Sequence, residues 1–153
     1  MTDYLVAQLN IARVIAPLDD PVMQDFVGAL EPINALADDS PGFVWRLQDD
    51  SGDATSINAF GDPSLLVNLS LWKSIESLRD FVYRTEHLDF LKAKKQWFKP
   101  LDTPHLVLWW VPEGNKPTVE EAKQRLESLI RHGPTQNAFT LSQRFEPPAN
   151  HDG

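Results

Sequence analysis

Alternating apolar and polar positions open the chain, and a helical spacing follows. Tyr4 to Ile15, YLVAQLNIARVI, predicts a first strand that Pro17 closes, because proline cannot donate to a strand ladder. Asp20 then reads as a helix cap with Pro21 at the first helical position, where a missing N–H costs nothing. Val22, Met23, Phe26, Val27, Leu30, Ile33 and Leu36 recur at helical spacing, with a kink expected at Pro32. Ser40-Pro41-Gly42 ends that helix, Phe43 to Leu47 predicts a second strand, and DDSGDATS reads as a polar loop. The nearly continuous apolar run from Leu65 to Trp72 predicts a third strand. Ser74 caps the next helix, whose apolar stripe is Ile75, Leu78, Phe81, Val82, Leu88 and Leu91.

After a turn at Pro100 to Pro104, HLVLWWV predicts a fourth strand. Thr118 and Glu121 have capping-box spacing, Val119, Ala122, Leu126, Leu129 and Ile130 share one face, and Gly133-Pro134 supplies a stop. Ala138 to Phe145 reads as a last short strand. The order is βαββαβ with an extra C-terminal helix and strand, which predicts an α+β fold: a ferredoxin-like antiparallel sheet with helices on one face. One domain is expected over residues 1–146, followed by a loose tail, PPANHDG, over 147–153. Neighbouring strand residues point to opposite faces, so Trp109-Trp110 implies that both faces of the fourth strand are covered. Helices on one face leave the other bare, and an apolar bare face is an association surface. Two sheets packed face to face across a two-fold axis, forming a homodimeric α/β barrel, would cover it.

Composition narrows the setting. The 153 residues contain no cysteine, so there is no disulfide framework, thiol nucleophile or thiolate metal site, and a cytoplasmic location is expected. No apolar run approaches the roughly 18 residues of a membrane span, and MTDYLVAQLN has no basic region before an apolar core. A formal charge of −8 repels phosphate backbones and acidic lipid, which argues against nucleic acid and membrane partners.

The segments QLNIARV, SPGFVWRL, LVNLSLWKS, FVYRTEH, LVLWWVPEG and GPTQNAFTL together resemble an uncharacterised bacterial family known only as a domain of unknown function. That family is similar to the antibiotic-biosynthesis monooxygenases of the dimeric α/β-barrel superfamily. The resemblance implies fold more than activity, because the superfamily includes cofactor-independent oxygenases, heme-degrading enzymes, isomerases and proteins without catalysis. Heme-degrading relatives use a strand asparagine with a helix tryptophan and histidine. Asn10 resembles the first, but Phe81 and Leu91 stand near the other two positions, so the chain departs from that set.

Candidate chemistry lies on the strands and the second helix. Gln8 and Asn10 share one parity, as do Asn68 and Ser70 on a neighbouring strand, and Arg46 could join them in one polar patch. Either a ligand or water in a pocket, or the patch itself or a dimer partner, would satisfy these groups. Glu76, Asp80, Tyr83, His87, Phe90, Lys94 and Trp97 fall at alternating steps of four and three, a stripe that could rim a pocket if the helix is continuous. Tyr83 and His87 are the candidate catalytic proton carriers, Asn10 and Asn68 candidate holders of an oxyanion, and Arg84 a candidate anchor for an acidic substrate. Trp72 and Trp97 are candidate stacking partners for a planar ligand, although tryptophan more often fills a core. The four histidines lack HxxxH or HExxH spacing, and GxGxxG, Walker and GxSxG motifs are missing, so no metal or cofactor is expected. The expected function is binding of a small apolar or aromatic molecule; if the protein is an enzyme, cofactor-independent oxygenation or isomerisation is the chemistry that the resemblance implies. The alternative is a noncatalytic ligand-binding or assembly module.

Overall fold

The computed structural model of the protein describes residues 3–47, 64–83, 97–99 and 104–147. Strand β1 (Tyr4–Val14) is the axis of the sheet. On one side it pairs antiparallel with β3 (Leu65–Trp72), and β3 pairs with the edge strand β2 (Phe43–Arg46). On the other side β1 pairs antiparallel with β5 (Leu106–Pro112) over Tyr4 to Asn10 and with the two-residue β4 (Phe98–Lys99) at Arg13 and Val14. The spatial order β2-β3-β1-β5 is that of a ferredoxin-like sheet. Every residue of β1 from Leu5 to Leu9 is buried, as expected for a strand flanked on both sides and covered on both faces.

Three helices among the described residues do the covering. A 3₁₀ turn at Pro21–Met23, capped by the Asp20 carboxylate accepting from the Val22 N–H at 3.0 Å, leads into α1 (Gln24–Asp38). Helix α2 (Ile75–Val82) starts at Ser74, whose Oγ accepts from the Ser77 N–H at 3.0 Å. Helix α3 (Val119–His132) starts at Thr118, whose Oγ1 accepts from the Glu121 N–H at 3.0 Å, and ends at Gly133. The caps expected at Asp20, Ser74 and Thr118 are therefore all formed. Gly42 makes the turn before β2 at φ 82°, and a Cβ there would collide with the Ser77 side chain at the start of α2. Only glycine admits both that backbone angle and that approach.

Helices α1 and α2 lie on one face of the sheet. Val6, Trp72 and Leu108 pack there with Ala37, Ile75, Leu78 and Phe139, and Val14 and Leu66 pack with Met23, Phe26 and Trp97. On the opposite face Leu5, Ala7, Leu9, Leu69, Leu71 and Val107 form one core with Ala122, Leu126 and Leu129 of α3.

The tandem tryptophans divide between the two faces. Trp109 lies fully buried on the face that α3 covers, whereas Trp110 is half-buried on the other, beside Phe139, and its indole N–H donates to the Phe145 carbonyl at 2.8 Å. Both faces are thus covered within one chain. Face-to-face pairing of two sheets follows from a bare second face, and in this chain α3 packs on that face.

Two further expectations change. Of the strand expected over Ala138 to Phe145, only Phe139 pairs with β5, through reciprocal bonds with Leu108 at 2.8 and 2.9 Å. Beyond it the Thr140 Oγ1 accepts from the Gln143 N–H at 3.0 Å, a side-chain turn that draws the backbone away from the sheet. The stripe expected from Glu76 to Trp97 does not lie on one described helix. Helix α2 ends at Val82, and the Trp97 carbonyl accepts from the Ile15 N–H at 2.8 Å beside β4. Arg84, His87, Phe90 and Lys94, and residues 148–153 of the expected tail, lie outside the described residues.

Candidate functional site

The cross-strand register builds the polar patch anticipated from parity. Gln8 on β1 stands opposite Ser70 on β3, and Asn10 opposite Asn68, all on the face shared with α1 and α2. Gln8 and Ser70 are buried, while Asn10 and Asn68 are exposed, so the patch begins in the core and ends at solvent.

Its hydrogen bonds have a direction. The Trp72 indole N–H can only donate, and it donates to the Ser70 Oγ at 2.9 Å. Gln8 Nε2 donates to the same Oγ at 2.8 Å and to the Asn68 main-chain carbonyl at 3.4 Å, an atom that can only accept. The Asn68 Oδ1 accepts from Gln8 Nε2 as well. On the other strand the Asn10 Oδ1 lies 3.4 Å from His105 Nδ1. The Asn68 carbonyl oxygen is thus engaged by the protein, and that of Asn10 faces the His105 ring. Neither NH₂ group has a protein partner among the described residues. Two exposed amide donors on adjacent strands are suited to hold one oxygen atom of a ligand.

Next to this patch is an open groove of about 430 Å³, lined by Arg79, Tyr83, Leu106, Thr140, Leu141 and Ser142. Leu106 is the register partner of Asn10, so the wall of the groove and the polar patch adjoin on one face of the sheet. Tyr83 caps the C-terminal end of α2 and is 59% exposed, which leaves its hydroxyl accessible.

The other sequence candidates are placed differently. Arg46 stands opposite Ser70, but its guanidinium clasps the Asp38 carboxylate, with Nε to Oδ1 at 2.9 Å and Nη2 to Oδ2 at 3.3 Å. Trp72 is buried between Phe43 and Phe81, with ring centroids 5.3 and 5.2 Å away, and Trp97 is buried against Phe26 at 5.7 Å. These rings are core packing and present no open face. Arg84 and His87 lie outside the described residues. Sequence pattern does not single out Arg79, His105 or the 140–142 segment as parts of a site. The one available signal for His105 is its position directly before Leu106, the β5 residue that pairs with Asn10.

No group of three His, Cys, Asp or Glu residues able to hold a metal ion occurs among the described residues. No described helix is long and apolar enough to cross a membrane.

A family model described as Domain of unknown function (DUF3291) matches residues 5–152. The chain belongs to the DUF3291 family. No curated protein matches it. Among solved structures, this DUF3291 chain is similar to a conserved protein from Methanosarcina mazei Go1, with 12% identity, a TM-score of 0.50, and coverage of 69% of this chain and 90% of that one. It is also similar to a Nitrosomonas europaea protein provisionally assigned as an antibiotic biosynthesis monooxygenase (15% identity, TM-score 0.46, 75% and 92% covered). A third is SnoaB, a cofactor-independent oxygenase from Streptomyces nogalater (15% identity, TM-score 0.42, 76% and 96% covered). At these identities the likeness is one of fold.

Proposed function

We propose that this protein binds a small, apolar or aromatic molecule on the α1/α2 face of its sheet, with one ligand oxygen held by Asn10 and Asn68. The observation that carries this reading is the pair of exposed asparagines, Asn10 and Asn68, whose NH₂ groups have no protein partner among the described residues, at the open end of a buried polar network. A groove of about 430 Å³ adjoining Asn10 lies within the range of pockets that take small ligands. Donors fixed in advance of binding suit a reaction that passes through an oxyanion, because they need no reorganisation as charge develops. Cofactor-independent oxygenation or isomerisation has that character, and Tyr83, accessible in the groove, is the described group able to move a proton there. The same site serves a noncatalytic binding protein if no reaction follows. The experiment is titration with 2-naphthol, a neutral planar probe with one oxygen, read at the side-chain amides of Asn10 and Asn68.

A homodimer and a cytoplasmic location belong to the same proposal. Dimer formation would use a surface other than the sheet face that α3 covers. Light scattering at micromolar concentration should report twice the chain mass, and a well-behaved monomer would remove the dimer. Cell fractionation reads the location.

A further inference from the structure

The described arginines are almost all engaged. Arg13 donates to the Ser64 hydroxyl, Arg46 clasps Asp38, Arg125 holds Glu121, Arg131 pairs with Glu127 and Arg144 with Glu76. Among the described residues, Arg79 is the arginine with no such partner, and it lines the groove beside Asn10. In a chain of net charge −8, carboxylates to neutralise it are plentiful. The one placed a turn earlier on the same helix, Glu76, is taken by Arg144 at 3.4 Å. That same ion pair ties the far wall of the groove, the segment carrying Thr140, Leu141 and Ser142, to α2.

The wall itself is built. Thr140 and Gln143 close a turn through their backbone at 3.3 Å and through the Thr140 Oγ1 at 3.0 Å, and the Thr140 and Ser142 hydroxyls lie 3.1 Å apart. Leu141 packs into the core beneath. The groove thus places a guanidinium and three hydroxyls, those of Tyr83, Thr140 and Ser142, around the apolar Leu106 and Leu141.

We infer that Arg79 is the anion-recognising residue of this groove, and that the ligand is an apolar or aromatic molecule bearing a carboxylate. This rests on the ligand site proposed above and adds the ligand's charge. A guanidinium receives a carboxylate through two parallel N–H bonds, the Tyr83 hydroxyl and whichever of the Thr140 and Ser142 hydroxyls does not donate to the other can donate to its remaining lone pairs, and the leucines accept the apolar body.

The test compares 6-hydroxy-2-naphthoate with its neutral carboxamide, titrated by calorimetry at low salt into the native protein, Arg79→Gln and Arg79→Lys. The native protein should bind the carboxylate about tenfold more tightly than the amide, with the gap narrowing as salt is raised. Arg79→Gln should lose that preference while keeping the amide's affinity, and Arg79→Lys should keep part of it, having the charge without the fork. Arg79 is exposed, so all three proteins should melt alike. Equal binding of the two probes by native protein overturns the carboxylate inference and leaves the ligand site standing. A preference that survives in Arg79→Gln overturns the assignment to Arg79. Failure of both probes to bind removes the ligand site as well.

Discussion

Trp109→Ala should lower the stability of the folded protein by about 3–5 kcal/mol, the usual cost of emptying a tryptophan site in a packed core. Trp109 is wholly buried, and its partner across the strands is Ala7, which is too small to fill the space left behind. On the same face Leu126 and Leu129 of α3 close over the sheet, held by a helix anchored at both ends. The Trp109 indole N–H finds no acceptor among the described residues. Trp109→Phe should therefore cost less than its lost volume suggests, because it also removes an unpaired buried donor. Denaturant unfolding of the three proteins measures both effects. A loss below about 1 kcal/mol for Trp109→Ala would show that this face is not the sealed core described.

Ser70→Ala should cost about 1–3 kcal/mol although it removes a single oxygen. That oxygen accepts from two side chains at once, Trp72 Nε1 and Gln8 Nε2, in the buried part of the polar patch. Trp72 is buried against the rings of Phe43 and Phe81 and cannot turn its N–H toward water. Asn68→Ala makes the contrast: Asn68 is exposed, so its loss should change the melting temperature little. Thermal melting of the two variants side by side distinguishes the inner, structural half of the patch from its outer half. Equal destabilisation by both would mean that Asn68 is structural too.

The division between what the chain's pattern reveals and what it hides follows from range. Caps at Asp20, Ser74 and Thr118 are legible because a capping oxygen acts on a backbone N–H two or three residues away. The polar patch is legible because strand parity fixes which side chains share a face, and antiparallel neighbours place Gln8 by Ser70 and Asn10 by Asn68. Trp109-Trp110 announces two covered faces, but pattern alone cannot say whether a second chain or the chain's own α3 does the covering. The two-residue β4 is too short to leave a periodic signal, and Trp97 fits a helical stripe equally well. The groove is hidden for a different reason: its far wall returns to α2 from some sixty residues later, through contacts such as Arg144 with Glu76. Arg79 and His105 acquire their meaning only from that return and from the register of β5 on β1.

The most direct test of the ligand site is an NMR titration with 2-naphthol, following the side-chain NH₂ signals of Asn10 and Asn68, each assigned by its disappearance in the corresponding alanine variant. Both signals should shift together and saturate with one dissociation constant, because both amides would donate to the same ligand oxygen. Signals that stay still while the probe binds elsewhere, or a probe that does not bind at all, would contradict the account.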